Sequence, residues 1–177
     1  MCHLYLDFFR KIKKNMQFSL ATPEENKKVL SNATKVKAHL TTGIVEILDK
    51  HQDLLGKVSI DIVEVESNDD NKSEKLKFIL QEGLVIVSTK GLNVETAQTG
   101  VYVYAKRIIE FTPSLSIEEF TKKVDQKSVK LENEKQVLIE MVNSGLNIAK
   151  MKTKVLYLEE ELAFDKKVLV FIKDSKN

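Results

Sequence analysis

The chain has no tryptophan, one cysteine, two prolines and six glycines in 177 residues. Of its 28 basic residues only Arg10 and Arg107 are arginine. Each scarcity excludes something. With Cys2 alone there is no intrachain disulfide and no multi-cysteine zinc pattern, and a reducing compartment, the cytoplasm, is the expectation. Gly43, Gly56, Gly83, Gly91, Gly100 and Gly145 never come closer than eight residues apart, so there is no phosphate-cradling loop, dinucleotide fingerprint or nucleophile elbow. The imidazoles are His3, His39 and His51. On one straight helix the last two would lie about three turns apart, too far to share a metal. Asp69, Asp70, Asn71 and Glu74 imitate a calcium loop, but Glu74 stands where that loop needs glycine and Leu80 where it needs a bidentate glutamate. No catalytic residues, cofactor or metal are therefore expected. No apolar run approaches the roughly 20 residues that span a bilayer as a helix. Asp7 interrupts the first apolar stretch, and the basic residues follow it, unlike a secretory signal.

What is present is globular: 42% hydrophobic and 31% charged residues, with a net charge of +2 too small for a bulk pull on nucleic acid or membrane. Residues 1–16 read as a basic amphipathic helix, with Leu4, Phe8, Ile12 and Met16 on one line; docking on a protein surface is preferred over a membrane, because one short helix anchors weakly. Thr22-Pro23-Glu24-Glu25 has a capping residue, a first-turn proline and acids at the positive end of a helix dipole. The spacing predicts a helix over 22–55, with Ala33, Leu40, Ile47 and Leu54 recurring every seven residues and Gly56 ending it. Alternation then predicts a sheet over 57–111: Val58, Ile60 and Ile62 with a bulge before Val63; Leu76, Phe78 and Leu80; a turn at Gln81-Glu82-Gly83; Leu84–Val87; and Val101, Val103 and Ala105. After Pro113, with Ser114 or Ser116 as cap, helices are expected over 115–163, carrying Met141, Ile148, Val155 and Leu162, with one possible break at Asn143-Ser144-Gly145. Val168, Val170 and Ile172 predict a terminal strand over 167–173; a hairpin of 153–160 with 167–172 is the alternative.

The fold expected is α+β in one domain over 17–177: a four-stranded, mainly antiparallel sheet flanked by long amphipathic N- and C-terminal helices. Leu40 and Ile47 would pack on Ile148 and Val155. The functional expectation is a non-catalytic, self-associating interaction or structural protein, whose partner is itself or another protein. Leu40, Ile47, Leu54, Met141, Ile148 and Val155 are its candidate interface. A different class of reading is sequence-tolerant binding of single-stranded nucleic acid through Tyr102, Tyr104, Lys106 and Arg107, since strand aromatics beside cations stack bases. The near-neutral charge weighs against it. The order helix, sheet, helix also resembles the layout of prefoldin-type chaperones, which implies a holdase as a third reading; the likeness is one of layout, with no motif behind it.

Overall fold

A computed structural model describes residues 15–69, 72–90 and 98–176. The N-terminal helix expected over 1–16 lies outside them except at its last two residues, of which Met16 opens a strand. The chain divides into two compact units, Met1–Phe111 and Thr112–Asn177.

The first unit is all strand: β1 (Met16–Ala21), β2 (Asn26–Leu40), β3 (Gly43–Ile47), β4 (Leu54–Asp69), β5 (Lys72–Ser88) and β6 (Gly100–Glu110). Their order is β1-β6-β5-β4-β2-β3, and β1 also bonds to β2, which closes five strands into a barrel and leaves β3 as an extra strand on β2. The β1–β6 pair is parallel and the rest are antiparallel. This overturns the four-stranded sheet flanked by long helices. The helix expected over 22–55 is β2, β3 and the start of β4. Its supposed N-terminus is the reversal between β1 and β2, across which the Thr22 N–H donates to the Glu25 carbonyl at 2.9 Å. The decisive local pattern is period two: Val36, Ala38 and Leu40 turn inward between Lys35, Lys37 and His39. Val29, Thr34, Val36, Ile44, Val45 and Ile47 add β-branched side chains that suit a pleated surface. The seven-residue spacing arises by accident, because a register shift between Ala33 and Lys35 and a turn at Thr41-Thr42 reset the phase.

The barrel core holds Phe18 stacked near Phe78, ring centroids 6.3 Å apart, among Met16, Leu20, Val36, Ile47, Val58 and Val63. The β4–β5 hairpin pairs without a slip from Leu54↔Val87 to Asp69↔Lys72, so the expected bulge before Val63 is absent. Yet the core takes even-numbered Val58 at one end of β4 and odd-numbered Val63 and Val65 at the other. The change of face coincides with Glu82, whose φ is +49° within a continuous β5. The Gln81-Glu82-Gly83 turn signal thus marks a kink rather than a reversal.

The second unit is a helical hairpin, α1 (Ile117–Asn143) and α2 (Ala149–Lys176). Ser116 caps α1 by accepting the Glu119 N–H at 3.3 Å, with Glu118 and Glu119 in the first turn. Gly145, at φ +69°, lets the chain leave α1: its N–H bonds to the Val142 carbonyl at 3.1 Å, and that of Leu146 to the Met141 carbonyl at 3.0 Å. Val124, Leu131, Val155, Leu158, Leu162 and Leu169 form the seam between the helices. The terminal strand expected over 167–173 is the last part of α2, where Val168, Leu169 and Ile172 are buried at helical spacing. A helix already running through Leu158-Glu159-Glu160-Glu161-Leu162-Ala163 propagates at one hydrogen bond per residue, which outweighs the local preference of Val168 and Val170 for a strand.

Candidate functional site

The four residues expected to bind nucleic acid all lie on β6, but the fold gives them separate tasks. Tyr102 is only 6% exposed. It lies over Gly100, where a Cβ would come within 2.5 Å of the phenol oxygen, and its hydroxyl donates to Gln17 Oε1 at 3.5 Å. Tyr104 is half-exposed and paired across the ladder with the equally exposed Leu84. Lys106 faces Glu82 at 3.7 Å. Arg107 pairs in register with Gln81, and its Nη1 is buried. The strand thus presents one accessible ring and a lysine balanced by a carboxylate, with the second ring and the arginine largely withdrawn from solvent. Tyr104, Leu84, Ala105, Thr22 and Pro23, with Glu82 and Lys106 among them, line a shallow groove of about 540 Å3.

The candidate interface residues are also divided. Ile47 is fully buried in the barrel core, and Leu40 and Leu54 pack against it. Leu40 covers Gly56, at which any Cβ would fall 2.5 Å from its methyl group. Val155 belongs to the hairpin seam, and Met141 and Ile148 are half-buried near its tip. Leu40 and Ile47 therefore serve a different core from Val155, and the expected seam of N- and C-terminal helices does not exist.

The hairpin carries the more distinctive surface. Lys154 meets Glu134 at 2.6 Å, Lys135 meets Glu159 at 2.7 Å, and Lys127 meets both Glu161 at 3.1 Å and Asp165 at 2.5 Å. Lys123 reaches Asp165 at 3.0 Å. The hydrogen bond to Glu159 raises the pKa of Lys135, desolvation opposes this, and the charges of Glu159 and Glu132 add to the rise. Asp165 is completely buried, so two lysines from α1 converge on a carboxylate removed from water. It escaped the sequence reading although a signal was available: Leu158, Leu162, Asp165, Leu169 and Ile172 share one helical line, and an acid on such a line needs a cation. Between these pairs and at the tip, Val137, Ile139, Val142, Leu146 and Leu156 are each more than 40% exposed. Among the described residues no group of His, Cys, Asp and Glu is placed to hold a metal ion. Neither helix is long and apolar enough to cross a membrane.

No protein-family model matches the chain, and no characterised protein matches it by sequence. Solved structures do. A chain in the Euglena gracilis mitochondrial ATP synthase, in a structure of its OSCP/F1/c-ring portion in rotational state 1, superposes with a TM-score of 0.53 at 12% identity, covering 90% of this chain and 84% of its own. A chain in the central stalk and c-ring structure of the Tetrahymena thermophila mitochondrial ATP synthase matches with a TM-score of 0.41 at 18% identity, covering 55% of this chain and 67% of its own. At these identities the Euglena likeness establishes a shared fold. It extends over nearly the whole chain, β-strands and helices alike.

Proposed function

We propose that this protein is a non-catalytic structural subunit of an ATP synthase-type assembly, which holds protein partners on its barrel and its helical hairpin. The observation that carries the reading is the likeness to a chain of the Euglena enzyme over 90% of the sequence. The apolar tip of the hairpin supports it. Ile139, Val142 and Leu146, spaced three and four residues apart at the end of α1 and in the connection after it, are each more than half exposed and give a partner apolar side chains to cover. Self-association through a seven-residue seam loses its main support, because half of that seam is strand. The holdase reading falls with the helix–sheet–helix layout that suggested it. Location goes with the assembly, since the cytoplasmic expectation rested on a single cysteine.

The test is to tag the chain at its C-terminus in its source cells, isolate the intact ATP synthase and quantify subunits by mass spectrometry. The chain is expected at a fixed stoichiometry that survives stringent washing. A chain that sediments as a free protein while the ATP synthase is complete without it would end the reading.

A further inference from the structure

We propose that the outer edge of β3 receives an extended segment of a neighbouring subunit as an added strand; this rests on the assembly reading above. Among the described residues β3 pairs with β2 alone. Alternate residues of such a strand direct their N–H and C=O away from the partner, so among the described residues one side of Gly43–Ile47 is an unpaired ladder about 17 Å long.

Open edges in monomeric proteins are guarded, commonly by lysine, proline or a bulge. The other singly paired stretches of this barrel follow that rule. Among the described residues the start of β2, bonded only to β1, carries Lys27 and Lys28, and the start of β5, bonded only to β4, carries Lys75. The sequence of β3 is Gly-Ile-Val-Glu-Ile, with no lysine and no proline, and its ladder with β2 runs without a shift. Its single charge, Glu46, lies 3.8 Å from Lys35. Ile44 is 64% exposed on the strand and Leu48, just beyond it, 50%. Among the described residues the edge is therefore unpaired, nearly uncharged and flanked by two exposed apolar side chains.

The occupant follows from size. Five backbone residues and two apolar side chains fall well short of the ~1,200 Å² that a specific, freely associating interface buries. A second copy of this chain would not be held by this edge alone. A strand from a subunit already fixed by other contacts would be, because the added ladder then forms at high effective concentration. The chemistry selects a segment with apolar residues at alternate positions, to cover Ile44 and Leu48, and a neutral or basic residue beside Glu46.

Ile44→Lys gives this edge the guard that the others have, at a position exposed enough to leave the barrel unchanged. Hydrogen exchange of the Ile44 and Glu46 amides, in the isolated protein and in the purified ATP synthase, reads the ladder directly. The expected result is at least tenfold slower exchange at β3 inside the assembly, and at least tenfold lower incorporation of Ile44→Lys in competition with wild type, with the melting temperature unchanged. Equal exchange in both states together with equal incorporation overturns the edge proposal and leaves the assembly reading intact. A wild-type chain absent from the assembly overturns both.

Discussion

The barrel and the hairpin use similar proportions of apolar sequence to different ends. In the barrel Met16, Phe18, Leu20, Val36, Ile47, Val58, Val63 and Val65 are fully buried, because a closed sheet surrounds its contents. In the hairpin the six residues of the seam keep 6–9% exposure; Phe164, Val168 and Ile172 near the end of α2 are at 0–1%, and many other apolar side chains point outward. Two helices share one line of contact, so apolar residues elsewhere on them find no cover from each other. Ion pairs make up part of the deficit, with five lysine–carboxylate contacts joining α1 to α2. Both units nonetheless leave large apolar side chains in water, Ile44, Leu48 and Leu55 on the barrel and Ile139, Val142 and Leu146 on the hairpin.

The contrast breaks first in the barrel. Phe78 is 2% exposed and stacks near Phe18 at the centre of the core. Phe78→Ala should cost about 3–5 kcal/mol through lost burial and the cavity left behind. Chemical denaturation followed by circular dichroism should show an earlier transition. A midpoint that does not move would mean that the barrel repacks freely.

In the hairpin the most sensitive position is polar. Asp165→Asn keeps the shape of the side chain but leaves Lys123 and Lys127 without the buried charge that holds them. Breaking a buried pair by removing one partner costs about 3–5 kcal/mol, and both lysines still reach water, so about 1–3 kcal/mol is expected here. Helical signal should be lost at lower temperature than in wild type. A variant as stable as wild type would show that the lysines simply turn outward.

These two positions also show what the sequence discloses. The end of α1 is readable at Asn143-Ser144-Gly145 because glycine permits the left-handed exit regardless of what packs nearby. Strands over the middle of the chain are readable because alternation is local. The first half misleads because Thr22-Pro23-Glu24-Glu25 suits a helix start and a strand reversal equally well, and only the pairing of β1 with β2 decides between them. Closure of the barrel depends on contacts between residues as distant as Phe18 and Val101, which no local period encodes. Among the candidate site residues, the roles of Tyr102 and Lys106 are set by Gly100 and Glu82, neighbours on the same face that spacing alone does not rank.

A smaller effect sharpens the comparison at the start of the hairpin. Ser116→Ala removes the acceptor for the Glu119 N–H and should cost about 1 kcal/mol. Barrel amides should keep their exchange rates while those in the first turn of α1 exchange faster. Equal rates in that turn would show that water replaces the cap without loss.

The smallest effect lies on the barrel's outer surface and is visible only through pH. Burial of Glu64 resists its ionisation, but the hydrogen bond from Lys77, 3.2 Å away, and the charges of Lys77, Lys75 and Lys37 outweigh that resistance and hold the carboxyl below its ordinary value of 4.5. A pKa lowered by folding stabilises the ionised form. The contribution is complete above the unfolded value, near 4.5, and is lost as pH falls through the lower folded value. Wild type should therefore lose stability on acidification more steeply than Glu64→Gln, whose neutral amide has no proton to take up. The two should differ by about 1 kcal/mol or less at pH 7, as expected for a pair that still touches water, and converge once the carboxylate is protonated. Denaturant midpoints measured from pH 7 down to pH 3 test this. Parallel curves would show that Lys75 and Lys77 stabilise the unfolded carboxylate as well as the folded one, and that this face of the barrel, unlike the hairpin, takes nothing from its ion pairs.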